Sequence, residues 1–174
     1  MNIFYLNSDP VLAAQMQCDK HVVKMILESA QLLCTAHRVL DGEKSADTIG
    51  LYKLAHKNHP SAIWARERRA NYNWLFKHMK ALMAEYTYRY GKHHASERLL
   101  EYIESCPISL MTCKLPFTPP PQCGMSDKYK SDDTVLAYQQ YYVFEKTSMC
   151  NGTGPQWGKT REAPDWCVCY YICS

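Results

Sequence analysis

Apolar residues recur three and four positions apart along two long stretches of the chain, and polar residues intrude on the same stripes. In the first stretch, 10–38, Leu12, Met16, Val23, Ile26, Ala30 and Leu33 share a face with Asp19 and His37, the spacing of an amphipathic helix. Asp9 before Pro10 supplies its start, an acceptor side chain followed by a residue already fixed near the helical φ. In the second stretch, 61–90, Trp64, Trp74, Leu75, Leu82 and Tyr86 alternate with Arg68, Asn71, His78, Glu85 and Arg89, and Gly91 suits the C-cap. His59 precedes Pro60 and is therefore expected in an extended conformation just ahead of that helix. Shorter helices are expected over 46–55, over 96–105 up to Pro107, and over 134–146 behind a cap at Asp132 or Asp133. Residues 107–132 carry five prolines and read as a long draping loop, and the cysteine-rich tail 147–174 reads as irregular. Only Ile3–Leu6 has any strand character. The expected fold is mainly α: one domain over 1–174, a helical bundle with long irregular loops and a core around Val23, Ile26, Leu33, Leu75 and Leu82.

The intruders change this picture. A polar group on a buried stripe costs roughly 1–3 kcal/mol unless it is satisfied, so Asp19, Asn71, Glu85 and Arg89 are expected to converge in one bonded cluster. Together with His21, His59 and His78 they would line a pocket for a polar ligand. Lys24 and Glu28 continue the His21 face four residues apart and read as a solvated charged face.

Charge and composition limit the partners. With 47 % apolar residues and a net charge of +3 over 174 residues, the chain has a globular composition, and the excess of base is too small to declare a nucleic-acid binder by itself. The basic residues are nonetheless ordered. Arg66, Arg69, Lys77 and Lys80 form a ridge continued by Lys92, His93 and His94, and Lys57-Asn58-His59 stand at a helix start, where free amides favour phosphate. Thirteen tyrosines and four tryptophans suit base stacking, although amphipathic residues at a core edge account for them as well. The first residues lack the basic, long apolar pattern of a signal peptide or membrane span, so a cytosolic location and no membrane partner are expected. Cys150, Cys167, Cys169 and Cys173 crowd the tail without the paired spacing of a zinc site, and no metal is expected. Gly-rich phosphate loops, G-x-S-x-G and H-E-x-x-H are absent, so no cofactor is expected either.

Three stretches carry a resemblance: Gln17-Cys18-Asp19-Lys20-His21 in the first long helix, Asn58-His59-Pro60 opening the second, and Arg161-Glu162-Ala163-Pro164-Asp165-Trp166 followed by Tyr170-Tyr171. In these the chain resembles the phage-type pyrimidine-dimer DNA glycosylases, also called phage endonuclease V, and it is similar to proteins common in tailed-phage genomes. The resemblance implies a helical domain that binds duplex DNA, flips a base, attacks the sugar C1′ with an amine and cleaves the backbone by β-elimination. The family's nucleophile is the α-amine of a small residue exposed by loss of Met1, whereas the bulk of Asn2 is expected to retain Met1 here. For the family's helix glutamate the corresponding stretch offers Asp19 or His21, with Glu85 as a further acid and Lys20 as a substitute amine if burial lowers its pKa. Lys57, Asn58, His59, Arg66, Arg69, Asn71, Trp74, His78, Arg89 and Lys92 are the candidate contacts to DNA or nucleotide. Two other classes fit the same residues: a protein that sequesters a nucleotide without altering it, and a helical module for a host protein.

Overall fold

The structure, a computed structural model, describes residues 1–146, 152 and 154–172, the side chains of 169–172 excepted. Asp9 caps α1 (Pro10–Met16) by accepting the amides of Val11 and Leu12 on Oδ1 at 2.8 and 2.9 Å. The chain then turns extended at Gln17 and Cys18 and restarts as α2 (Asp19–Leu40). The stretch expected as one helix over 10–38 is therefore two. Neither glycine nor proline marks the break. It is held from outside, because the carbonyls of Gln15 and Gln17 each accept from Arg89 at 2.9 Å, and that of Met16 accepts from Trp157 Nε1 at 3.1 Å. The restart shifts the phase of the stripe. His21, Val22, Met25, Ile26, Ser29, Ala30 and Leu33 turn inward, so Val23 is 38 % exposed instead of joining Ile26, Leu33, Leu75 and Leu82 in the core.

The second long stretch divides in the same way into α4 (Pro60–Glu67) and α5 (Arg69–Tyr90), with Arg68 extended between them. His59 is extended, as its place before proline requires, and its Nδ1 accepts the amide of Ser61 at 3.1 Å. Gly91 closes α5 in the left-handed conformation at φ 63°, which costs a residue without Cβ nothing. Between the long helices, α3 (Glu43–Thr48) replaces the expected helix over 46–55. Arg38, buried on α2, bonds the carbonyls of Leu51 and Tyr52 and the carboxylates of Glu43 and Asp47, drawing the chain after α3 into an extended path. A 3-10 turn over Ala95–Leu99 leads into α6 (Leu100–Ile103). Asp133 caps α7 (Thr134–Gln140), which widens into a π-turn over Tyr141–Glu145.

α1, α2 and α4 each pack on α5, α4 also packs on α2, and the loop after α6 bonds Trp64, Arg68 and Arg69 along the α4–α5 edge. Ile3–Leu6 is buried but forms no strand. Beyond it α8 (Asp165–Ile172) carries Trp166, where an irregular tail was expected. Helices make up 60 % of the structure, with no strand among the described residues: a mainly α, single-domain fold. No helix among those residues is long and apolar enough to cross a membrane.

Candidate active site

Three of the four polar intruders meet at the α1–α2 break. Arg89 Nη1 donates to Asp19 Oδ1 at 3.1 Å and to the Gln17 carbonyl, its Nε donates to Glu85 Oε2 at 3.0 Å, and Nη2 donates to the Gln15 carbonyl. Arg161, from beyond α7, closes on the other side of Glu85 at 2.6 and 3.1 Å and lies over the Tyr88 ring. Burial alone would raise the Glu85 pKa, but the bonds from Arg161 and the charge of Arg89 outweigh it and hold the carboxyl below its usual range. Asn71 does not join them. It stands in the first turn of α5, about 21 Å along the helix from Glu85, and its amide instead bonds the Trp64 carbonyl and Thr118. Both Glu85 oxygens and Oδ1 of Asp19 are thus bonded from within the protein.

His21 and His78 are core residues. The His21 ring stacks on Phe4 with centroids 4.1 Å apart and bonds the Tyr142 hydroxyl through Nδ1. Burial, followed by the charges of Lys146, Lys24 and Lys20, pushes its pKa down to about 3, so it is neutral near pH 7 and far from the range of an efficient acid or base there. His78 is fully buried and lowered to about 4 by that burial. Its Nδ1 faces the Pro10 carbonyl at 2.9 Å, its Nε2 faces the Gln17 amide at 3.1 Å, and its ring stacks on Trp74. Trp74 spends its indole N–H on the Ser8 carbonyl. Lys20 is exposed, without the burial that would activate an amine by desolvation.

A second polar group gathers where the start of the chain folds back on the middle of α2. The backbone nitrogen of Asn2 donates to Glu28 Oε2 at 3.0 Å, and Lys24 Nζ lies 3.4 Å from Glu28 Oε1. The Asn2 side chain fixes this approach: Oδ1 accepts the amides of Ile3 and Phe4 at 2.8 and 3.2 Å, and Nδ2 donates to the Cys123 carbonyl at 2.7 Å. The hook so formed carries Phe4 at φ 53°, a left-handed conformation costly for a bulky side chain; its ring is sandwiched against His21 and Tyr141. His59 belongs to the same place. Its pKa is lowered first by burial and then by the α-amine of Met1 and by His56, with Glu28 opposing. Amine, carboxylate and imidazole thus come together from the chain start, α2 and the cap of α4, flanked by exposed Lys57 and Asn58. Glu28 was read from the sequence as part of a solvated face. The signal that points to it is the helix glutamate of the resembling family, for which this stretch also offers Glu28, nine residues beyond Asp19.

The remaining basic candidates do not converge. Arg66 is half-buried at the end of α4, with Nη1 buried and unpartnered among the described residues. Arg69 donates to the Met111 carbonyl at 3.1 Å. Exposed Lys92 lies past the far end of α5, about 34 Å from Arg69 at the helical rise. A single free nucleotide cannot touch both ends of such a ridge. No group of His, Cys, Asp and Glu among the described residues could hold a metal; Cys150, Cys173 and the Cys169 side chain lie outside them.

The family model described as pyrimidine dimer DNA glycosylase matches residues 1–98. The matched segment contains Asn2, Glu28 and His59 as well as Asp19, Glu85 and Arg89, while Arg161 and Trp157 fall outside it. The search of curated proteins and the search of solved structures each return no match. The match covers more than half of the 174 residues, so the chain belongs to the pyrimidine dimer DNA glycosylase family.

Proposed function

We propose that the protein removes a pyrimidine-dimer base from duplex DNA and then cleaves the strand, with its reacting centre at the chain start, Glu28 and His59. The observation that carries this reading is the 3.0 Å contact between the Asn2 nitrogen and Glu28, beside an imidazole that senses the Met1 amine. The sequence of steps follows the family's chemistry. The deprotonated amine forms a bond to C1′ as the glycosidic bond breaks, and the base leaves with the electron pair. Opening of the sugar gives an imine to C1′. Loss of a C2′ proton then expels the 3′ phosphate by β-elimination.

In this reading Glu28, which accepts the peptide N–H directly after Met1, takes the proton of the Met1 amine and returns it to the sugar oxygen on ring opening, work that a positioned carboxylate performs with about 10²–10⁴-fold benefit. His59, held toward its neutral form, can relay a proton at the same edge. Lys24, Lys57 and Asn58 supply exposed donors for the flanking phosphates. Asp19 and Glu85, with both carboxylates committed to arginine, hold the helices that carry this centre.

The test is incubation with a duplex bearing one cyclobutane thymine dimer, with and without borohydride, followed by peptide mapping of the trapped adduct. Strand cleavage and an adduct on the first residues are expected, both lost in Glu28→Gln while duplex binding persists. Absence of cleavage and adduct in the unaltered protein overturns the reading, and an adduct on Lys20 or Lys24 moves the nucleophile to that side chain.

A further inference from the structure

A cleft of about 650 Å³ opens between the outer flank of α5 and the segment 104–111, and neither Glu28 nor His59 lines it. Its floor is apolar: Phe76 and Cys106 are 8 % and 7 % exposed, and burial keeps the Cys106 thiol above its ordinary pKa against the opposing charge of Arg69, so the floor carries no charge near neutral pH. Its rim is cationic. Lys77 and Lys80 are three residues apart on one face of α5 and are both exposed, and Arg69 stands two turns earlier with its guanidinium fixed at the mouth by the bond to Met111. None of the three forms an ion pair with a described residue, and Glu104, the one carboxylate on the wall, is beyond ion-pair distance of them. The half-buried Asn73 amide, one turn before Lys77, likewise bonds nothing among the described residues.

The contrast with the other cations is informative. Arg38, Arg89 and Arg161 each meet carboxylates inside the protein. The cleft gathers three positive charges around an uncharged floor and gives them no carboxylate partner among the described residues, an arrangement that an anionic group on a flat, largely apolar body would complete.

We infer that this cleft is a binding site for a nucleoside phosphate, the phosphate seated on Lys77 and Lys80, the base lying over Phe76 toward Met111 and the Arg69 guanidinium beside it, and the base edge bonded by Asn73. The same chemistry reaches the site from a free nucleotide or from one nucleotide of a single strand. The cleft does not depend on the catalytic reading given to Glu28 and His59, and it can be tested apart from any cleavage of DNA.

The full-length protein is titrated by calorimetry with deoxyadenosine monophosphate, with inorganic phosphate and with a short oligothymidylate, at low and high salt. The nucleotide is expected to bind more tightly than phosphate and to lose affinity as salt rises. Lys77→Ala combined with Lys80→Ala should weaken it by about tenfold or more, the loss of at least one charge-assisted bond. Both lysines are exposed, so the variant should keep the unaltered melting temperature. Asn73→Ala should weaken the nucleotide and leave phosphate unchanged. A preference for the oligothymidylate identifies a strand as the source, and binding of the monophosphate alone identifies a free nucleotide. No binding at low salt, binding indifferent to the lysine substitutions, or equal affinity for nucleotide and phosphate overturns the inference.

Discussion

Two polar clusters sit along α2, and they differ in what completes them. At its start, Arg89 is wrapped by Asp19, Glu85 and two carbonyls, with Arg161 sealing Glu85 from outside. Two turns further on, Glu28 accepts the Asn2 peptide N–H and pairs with a largely exposed lysine, and its charge acts on a half-buried imidazole. The first closes on itself. The second leaves an amine, an acid and an imidazole at an open edge. A closed network contributes to the unfolding free energy and has nothing left to offer a substrate, whereas an open one contributes little to stability and keeps its chemistry available.

The sharpest way to break this comparison is Glu28→Gln. It should lower dimer-dependent strand cleavage by about 10²–10⁴-fold and leave the urea midpoint nearly unchanged; comparable losses in both would make Glu28 another structural acid. The mirror experiment is Arg89→Ala, which strands the Asp19 carboxylate and two helix-end carbonyls and leaves Glu85 to Arg161 alone. It should destabilise the protein by about 3–5 kcal/mol, the usual cost of removing one member of a buried ion network, read from urea unfolding. A third measurement concerns pH. His21 and His78 have folded pKa values of about 3 and about 4 against 6.5 in a free side chain, so below pH 6.5 the unfolded chain binds protons that the folded one does not. Stability should therefore fall steadily from pH 6.5 toward pH 4, and a midpoint flat over that range would mean that these imidazoles are accessible. Glu85 has the same sign at lower pH: its depressed folded pKa gives stability that is present above the free carboxyl's value and lost as pH falls through the folded one. The smallest effect is expected from Lys24→Ala. Its exposed i,i+4 pair with Glu28 is worth only about 0.2–0.5 kcal/mol, and a larger stability loss would show that the open cluster is more closed than it looks.

What could be read in the sequence followed from local chemistry. Asp9-Pro10, His59-Pro60 and Gly91 each carry their own backbone preference, and the structure has a cap where each predicts one. The breaks at Gln17–Cys18 and Arg68 left no such mark, since the apolar spacing runs on across them. The agents that hold the first break, Arg89 and Trp157, are remote in sequence. The error at Val23 has the same origin, because a stripe extrapolated through an unseen break is out of phase beyond it. Asp19, Glu85 and Arg89 could be grouped because each violates a stripe that must be buried, whereas Asn71, equally a violator, finds its partner in the loop at Thr118. Glu28 violates nothing. Its four-residue spacing from Lys24 suits a surface pair, and only the hook of Asn2 and Phe4 brings the chain start to it.

The clasp on the α1–α2 break also has a kinetic side. Trp157 reaches back to Met16, the Gln156 carbonyl accepts the Asp19 amide, and Arg161 reaches Glu85. The helices of residues 1–98 leave the ribosome well before the segment that fastens their join. Until residues 156–161 have been made, the bent pair α1–α2 must wait with the Met16 carbonyl and the Asp19 amide unbonded and the Glu85 carboxylate unsealed, and such distant closures slow the last stage of folding. A nascent chain paused short of that segment should present protease-sensitive sites around Gln17, and these should vanish once the clasp has emerged.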